Sequence, residues 1–195
     1  GEMIKFSHSI FALPFALMAT FLAARSAFQA GDARHIYPTA GQFMLIVACM
    51  VAARSVAMTF NRIADAAIDA RNPRTANREL PTGALDLLTA LTVAFVGLAV
   101  YLGACIALGR WCVYLSPLPL IPLLGYSLLK RFTALCHFGI GLCLALAPLG
   151  AYVAVAGHPL FSVSMLLFAV FVFFWLSGAD IIYALLDIES DRNNG

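Results

Sequence analysis

Residues 161–186 read FSVSMLLFAVFVFFWLSGADIIYALL, an almost unbroken apolar stretch that runs into an acidic cluster. A helix needs about 20 apolar residues to cross the hydrocarbon core of a bilayer. Five further stretches have the same character, and we predict a membrane span in each of them: roughly 10–29, 40–60, 84–108, 111–129 and 134–157. The sequence therefore predicts an all-α fold, a bundle of six transmembrane helices.

The composition of this 195-residue chain excludes an ordinary water-soluble domain, because 62% of its residues are hydrophobic and only 11% are charged. The net charge of +2 comes without a basic run, so nothing indicates a nucleic-acid partner. The five cysteines form no CxxC pair, and we expect neither a zinc site nor a disulfide framework. Prolines at positions 117, 119 and 122 predict that the fourth span is kinked or broken.

Basic residues are divided unequally between the two ends of the predicted spans. One side of the membrane, which includes the N-terminus and loop 61–83, carries eight of them: Lys5, Arg62, Arg71, Arg74, Arg78, Lys130, Arg131 and Arg192. The other side carries three: Arg25, Arg34 and Arg110. Because Lys and Arg accumulate in cytoplasmic loops, we predict that the eight-residue side faces the cytoplasm.

A first acidic cluster follows the second span. Asn61, Asp65 and Asp69 are spaced by four residues, which places them on one face of a helix. Such hard oxygen ligands suit magnesium, which usually binds through one or two carboxylates together with substrate phosphates. The alternative is a solvated helix end whose acids pair with Arg71 or Arg74.

A second acidic cluster ends the sixth span, where Asp180, Tyr183, Asp187 and Asp191 share a narrow stripe. Asp180 lies nearly two turns inside the apolar stretch and should face a cavity, because a carboxylate is costly beside lipid. Tyr183 could bind a phosphate or face a cation, or it could simply anchor the helix at the membrane interface. Two acidic faces turned toward each other would hold a divalent metal, and the metal would hold phosphate.

Basic residues near these clusters can grip phosphate, although membrane topology alone also accounts for several of them. Arg54 is different, since it lies inside the second span on the face of Asn61. A buried cation needs an anionic partner, and we expect Asp65, Asp69 or a substrate carboxylate to serve. His137 is either a residue of the same cavity or an interior histidine with a satisfied hydrogen bond.

These motifs resemble the UbiA superfamily of intramembrane aromatic prenyltransferases. The family signature is Asn-x-x-x-Asp-x-x-x-Asp after the second span and Asp-x-x-Tyr-x-x-x-Asp-x-x-x-Asp at the sixth, and this chain carries both motifs. Segments 4–15, 70–83 and 126–133 are also similar to the family. Many members have Asp directly after the first Asn, whereas this chain has Arg62. That pattern is similar to the 4-hydroxybenzoate-type and menaquinone-pathway branch.

The family fold is a nine-helix bundle, so the resemblance implies one transmembrane prenyltransferase domain over residues 1–195 that is incomplete at its C-terminus. It implies magnesium-dependent transfer of a polyprenyl group from its diphosphate to an aromatic acid. The acceptor would be 4-hydroxybenzoate or, alternatively, a dihydroxynaphthoate, in ubiquinone or menaquinone biosynthesis. The expected location is the bacterial inner membrane with the site facing the cytoplasm, and the expected partners are the two substrates and the lipid bilayer.

The resemblance also implies a role for each motif residue. The metal ligands would be Asp65, Asp69, Asp180 and Asp187. The residues that bind the diphosphate or the aromatic acid would be Asn61, Arg78, Lys130, Tyr183 and Arg54. The candidate catalytic residues are Asp191, as the base for the ring proton, and Arg54, as the partner of the acceptor carboxylate. An ion-coupled transporter is the main alternative, although its acids would be expected near the bilayer midplane.

Overall fold

The structure is a computed structural model of the chain. It describes the backbone of residues 7–29, 37–71, 75–129, 133 and 136–194, and their side chains except in 7–12, 27–29 and 183–194. Every regular element within these ranges is a helix. In chain order the helices are α1 (Ser7–Gln29), α2 (Ala40–Asp69), α3 (Leu87–Leu108), α4 (Arg110–Leu115), α5 (Pro117–Leu129), α6 (Cys136–Ala156) and α7 (Val163–Asn194).

Five helical segments are long and apolar enough to cross a membrane, namely 40–69, 87–108, 110–129, 136–156 and 163–182. Within α1, residues 13–26 form a shorter apolar helix. The predicted multi-span helical bundle is therefore confirmed. Helix α2 continues beyond the predicted span to Asp69, so residues 61–69 of the predicted loop are helical, in agreement with the spacing of Asn61, Asp65 and Asp69. No glycine or proline interrupts the sequence until Pro73, so nothing stops the helix earlier.

Helix α2, which carries the first acidic cluster, and helix α3, which follows it in the chain, both begin at well-formed caps. The hydroxyl of Thr39 accepts from the Gln42 N–H at 3.2 Å, and the Gln42 side chain accepts from the Thr39 N–H at 3.0 Å. This reciprocal pair is a capping box, which satisfies two otherwise unpaired donors of α2. At the start of α3, Asp86 accepts from the Thr89 N–H at 3.2 Å. These caps set where each helix enters the bundle.

The fourth predicted span is broken between α4 and α5, as its prolines predict. Pro117 has no N–H to donate to the carbonyl of Val113. That carbonyl instead accepts from the N–H and the hydroxyl of Ser116, at 3.2 and 2.8 Å. The Ser116 carbonyl in turn accepts from the buried hydroxyl of Tyr101 at 2.9 Å, which ties the break to α3.

Helix α6 lies at the centre of the described bundle and packs against α1, α2, α4, α5 and α7. Its core contacts are made largely by small residues, which let helix backbones approach closely; the buried set includes Ala16, Ala19, Ala23, Ala145, Ala151 and Ala154. Large apolar side chains such as Phe95, Ile121 and Leu167 are instead exposed. An apolar outer surface around a small-residue core is what a lipid-facing bundle requires.

Helices α6 and α7 approach each other closely at Gly141. A Cβ at this position would collide with the hydroxyl of Ser177 and lie 2.6 Å from the carbonyl oxygen of Phe173. Beside this contact the rings of Phe138 and Phe173 stack at 5.9 Å between centroids. The absence of a side chain at Gly141 therefore sets the spacing between the start of α6 and the middle of α7.

Candidate functional site

The last turns of α2 carry the first acidic cluster. Asp65 and Asp69 are 5% and 6% exposed, and they are the two fully buried charged residues in the described part of the chain. Asn61 lies one turn earlier on the same face and is partly buried. Burying a carboxylate is costly unless it is paired or binds a metal, so each of these acids needs a compensating group.

The loop after α2 folds back on this helix and supplies that group for Asp69. One guanidinium nitrogen of Arg78 donates to both carboxylate oxygens of Asp69, at 2.8 and 2.7 Å. The hydroxyl of Thr75 donates to the Asp69 carbonyl at 3.1 Å. Arg78 remains 37% exposed at its side chain, so it joins the buried carboxylate to the solvent boundary.

A second ion pair holds the same loop. Arg62, the residue at which this chain departs from many members of the family, lies 3.7 Å from the carboxylate of Glu79. The two consecutive loop residues Arg78 and Glu79 thus reach two positions of α2 that are two turns apart, Asp69 and Arg62. Arg62 therefore lies beside the loop that carries Arg78, although its Nη1 makes no hydrogen bond among the described residues.

The second acidic cluster begins at Asp180 on α7. Its Oδ2 lies 2.6 Å from Nδ1 of His137, the second residue of α6, and both side chains are partly buried. His137 was expected to be either a cavity residue or a hydrogen-bonded interior histidine. It is hydrogen-bonded, and its partner is an acid of the site. Both partners project from helices, so the contact joins α6 directly to α7.

Tyr126 of α5 lies within electrostatic range of one acid from each cluster. Asp65 from α2 and Asp180 from α7 are both near enough to act electrostatically on its phenol. Helix α5 packs against α2 and α6, and α6 packs against α7, which explains how three separate helices meet here. One carboxylate from each motif thus acts electrostatically on the same phenol.

Arg54 lies deeper in the bundle on the same face of α2. Seven residues separate it from Asn61, or about 10 Å along the helix axis at 1.5 Å per residue. Direct pairing with Asp69 was one of the expectations, but fifteen residues, about 22 Å, separate the two along one helix. Its Nε is buried and has no hydrogen-bond partner among the described residues. An orphaned buried guanidinium nitrogen is a strong candidate for binding an anionic group.

Several predicted residues fall outside the described side chains. Lys130 lies outside the described residues altogether. The positions of Tyr183, Asp187 and Asp191 lie on the C-terminal part of α7, whose side chains the structure does not describe. Within the described side chains, no three His, Cys, Asp or Glu residues come together as a complete metal-binding group. The described part therefore contains Asp65, Asp69 and Asp180 of the proposed ligand set.

The chemistry of this donor set fits a magnesium ion. All the ligands proposed are carboxylates, and Mg²⁺ prefers oxygen ligands and keeps several waters. Two of them are buried on one helix face, which is costly in the absence of a cation. Arg78 provides one cation at Asp69, and a metal shared with Asp180 would provide another.

Sequence reasoning missed Tyr126 and Glu79 as site residues and left the role of His137 open. Tyr126 falls within segment 126–133, where similarity to the family was the available signal. Glu79 and His137 contact residues that are far from them in sequence, and no local spacing encodes such contacts. The orphaned Nε at Arg54 agrees with the expectation of a buried cation that needs an anion.

Comparison with known proteins identifies relatives along nearly the whole chain. The sequence model of the UbiA prenyltransferase family matches residues 12–195. The apo structure of a UbiA homolog from Aeropyrum pernix K1 superposes with a TM-score of 0.78 at 35% identity, and covers 97% of this chain and 67% of that one.

Curated relatives carry the name 4-hydroxybenzoate octaprenyltransferase. The protein from Tolumonas auensis is 28% identical over 158 residues, which are 81% of this chain and 54% of that protein. The protein from Aliivibrio salmonicida is 30% identical over 142 residues, which are 73% of this chain and 49% of that protein. The chain thus spans about half the length of the curated relatives it matches.

Proposed function

The chain belongs to the UbiA prenyltransferase family, and from this membership and the site we propose that it transfers a polyprenyl group from a diphosphate to an aromatic acid. The observation that carries the proposal is the pair of buried carboxylates on α2, Asp65 and Asp69, together with the placement of Asp65 and of Asp180 from α7 within electrostatic range of Tyr126. The preferred acceptor is 4-hydroxybenzoate, since this acid appears in the names of the curated relatives. Family membership favours prenyl transfer over ion-coupled transport.

The diphosphate end of the donor would bind at the acidic clusters, which we propose face the cytoplasm. Asp65, Asp69, Asp180 and Asp187 would hold Mg²⁺, which would neutralise the charge of the departing diphosphate. Arg78 and Lys130 would donate charge-assisted hydrogen bonds to the same oxygens. Asn61 and Tyr183 would complete the polar lining. The unequal distribution of basic residues supports the cytoplasmic orientation.

The reaction exchanges one bond to the first prenyl carbon for another. The C–O bond to the diphosphate breaks, and the electron-rich ring of the acid forms a C–C bond to the allylic cation. The surrounding apolar helices exclude water, which would otherwise capture that cation. Asp191 would accept the proton that leaves the ring. The buried Nε of Arg54, which lacks a partner among the described residues, would bind the acceptor carboxylate.

The proposal is tested on the full-length protein in membranes, with a polyprenyl diphosphate and 4-hydroxybenzoate, with and without Mg²⁺. We expect magnesium-dependent prenylated acid, and a loss of at least about 100-fold in kcat in Asp65→Asn and Asp180→Asn, since each removes a charged metal ligand. Asp86→Asn is the matched control, because Asp86 is an exposed N-cap of α3 and Asn preserves the cap.

Each outcome separates the proposal from its alternatives. Turnover of a dihydroxynaphthoate in place of 4-hydroxybenzoate would change the acceptor and keep the site. Equal activity with and without Mg²⁺, or full activity in both site variants, would refute the proposed metal chemistry. Absence of product with either acid would refute the proposed aromatic acceptor.

A further inference from the structure

We propose that His137 is a positioning residue that orients the metal-binding carboxylate of Asp180. This inference rests on the proposed function, since it assigns a partner to one of the proposed metal ligands. The carrying observation is the 2.6 Å contact between Nδ1 of His137 and Oδ2 of Asp180. An ionised carboxylate can only accept hydrogen bonds, so the Nδ1–H of His137 is the donor.

The packing of α6 on α7 makes this contact a rigid one. His137 lies one turn before Gly141 on α6, and Asp180 lies three residues after Ser177 on α7. At Gly141 the two helices approach so closely that an added Cβ would collide with Ser177. The stacked rings of Phe138 and Phe173 flank the same contact. The hydrogen bond is therefore held one helical turn from a tightly packed point.

The contact has a direct consequence for the carboxylate. With Oδ2 engaged by His137, the plane of the carboxylate is fixed and its other oxygen is left for a metal ion. Outer partners of metal ligands commonly act in this way, and their loss weakens metal binding by about 10- to 100-fold. The opposite cluster also has an oriented carboxylate, but Arg78 there contacts both oxygens of Asp69 and not one. Each motif thus has one carboxylate oriented by a residue from another segment.

The test compares His137→Leu with His137→Asn in the full-length protein. Leu fills a similar volume without a donor, whereas the amide of Asn places an N–H near the position of Nδ1. Metal binding is measured directly with Mn²⁺, from the EPR signal of the free ion, in the presence of a non-reacting farnesyl thiodiphosphate. We expect His137→Leu to weaken Mn²⁺ binding by about 10- to 100-fold and His137→Asn to restore most of that affinity.

A kinetic readout distinguishes positioning from catalysis by His137. If His137 acts through Asp180, kcat of His137→Leu should approach the parental value at saturating Mg²⁺, and His137→Asn should resemble the parent. His158→Asn is the matched control, because His158 is an exposed histidine at the other end of α6. It should leave Mn²⁺ binding unchanged.

Four results would overturn the inference. Parental Mn²⁺ affinity in His137→Leu would show that the contact does not orient a ligand. Low kcat in both variants with parental Mn²⁺ affinity would make His137 a catalytic group instead. Absence of Mn²⁺ binding to the parent would refute the metal site and the proposed metal chemistry together. Undiminished Mn²⁺ binding to Asp180→Asn would show that Asp180 is not a metal ligand, so His137 could not act through it.

Discussion

Replacing Gly141 with Ala would perturb a point at which α6 lies close to the backbone of α7. The added methyl group would collide with the Ser177 hydroxyl and lie 2.6 Å from the Phe173 carbonyl oxygen. The Ser177 side chain can rotate away, but the Phe173 carbonyl belongs to the helix backbone. The strain can therefore be relieved only by moving one helix away from the other.

The size of the effect follows from these distances. Ordinary contacts of a Cβ begin at 3.4 Å, so the helices must separate by about 0.8 Å at this level. Overpacking of this kind costs about 1–3 kcal/mol. At about 2–4 °C per kcal/mol for a chain of this size, Tm should fall by about 2–12 °C. The same displacement would stretch the 2.6 Å contact between His137 and Asp180 beyond about 3.2 Å, the usual limit of an N–H···O bond.

Gly150→Ala is the matched control on the same helix. A Cβ at Gly150 would have nothing within 4 Å, so it causes no collision. Replacing glycine by alanine within a helix stabilises it by about 0.5–1 kcal/mol. The two variants have the same chemistry and opposite expected signs, since Gly141→Ala should lower Tm and Gly150→Ala should raise it.

The assay is thermal unfolding of both purified variants in detergent, followed by tryptophan fluorescence, together with Mn²⁺ binding. We expect weakened Mn²⁺ binding in Gly141→Ala and parental binding in Gly150→Ala. Equal Tm values for the two variants, or a higher Tm for Gly141→Ala, would refute the argument that backbone contact at this glycine sets the spacing of α6 and α7.

Three further predictions concern other parts of the molecule. Arg54→Ala should raise KM for the aromatic acid more than KM for the prenyl diphosphate, and an equal rise in both would contradict its assignment to the acceptor carboxylate. Tyr101→Phe should destabilise the fold by about 1–2 kcal/mol, measured by thermal unfolding, because it leaves the buried carbonyl of Ser116 without its 2.9 Å donor. An unchanged Tm would show that another donor replaces it. Hydrogen bonds from Thr89 lower the pKa of Asp86, so its stabilising contribution is present above the ordinary pKa of Asp and is lost as pH falls through the lowered value. In Tm measured against pH, Asp86→Asn should lack this acidic loss, and parallel curves for parent and variant would contradict the prediction.

Properties that depend on neighbouring residues could be read from the sequence. Five of the six predicted spans match described helices long enough to cross a membrane, because the bilayer sets the length of an apolar stretch wherever the helix lies in the bundle. The break near Pro117 follows from the missing N–H of proline. The shared face of Asn61, Asp65 and Asp69 follows from helical periodicity. Apolarity marks the limits of the membrane and not those of the helix, so α2 continues beyond the predicted span to Asp69.

The partners of the charged residues were decided by the tertiary structure alone. Spacing within a helix cannot show that His137 binds Asp180, that Arg78 takes both oxygens of Asp69, or that Arg62 pairs with Glu79. Such contacts depend on how each helix is rotated and how closely it approaches its neighbour, and small residues such as Gly141 control that approach. The sequence by itself determined a membrane-spanning helical bundle with two acidic faces. Only the packing of α2, α5, α6 and α7 placed Asp65 and Asp180 within electrostatic range of Tyr126, because that depends on contacts between residues distant in the chain.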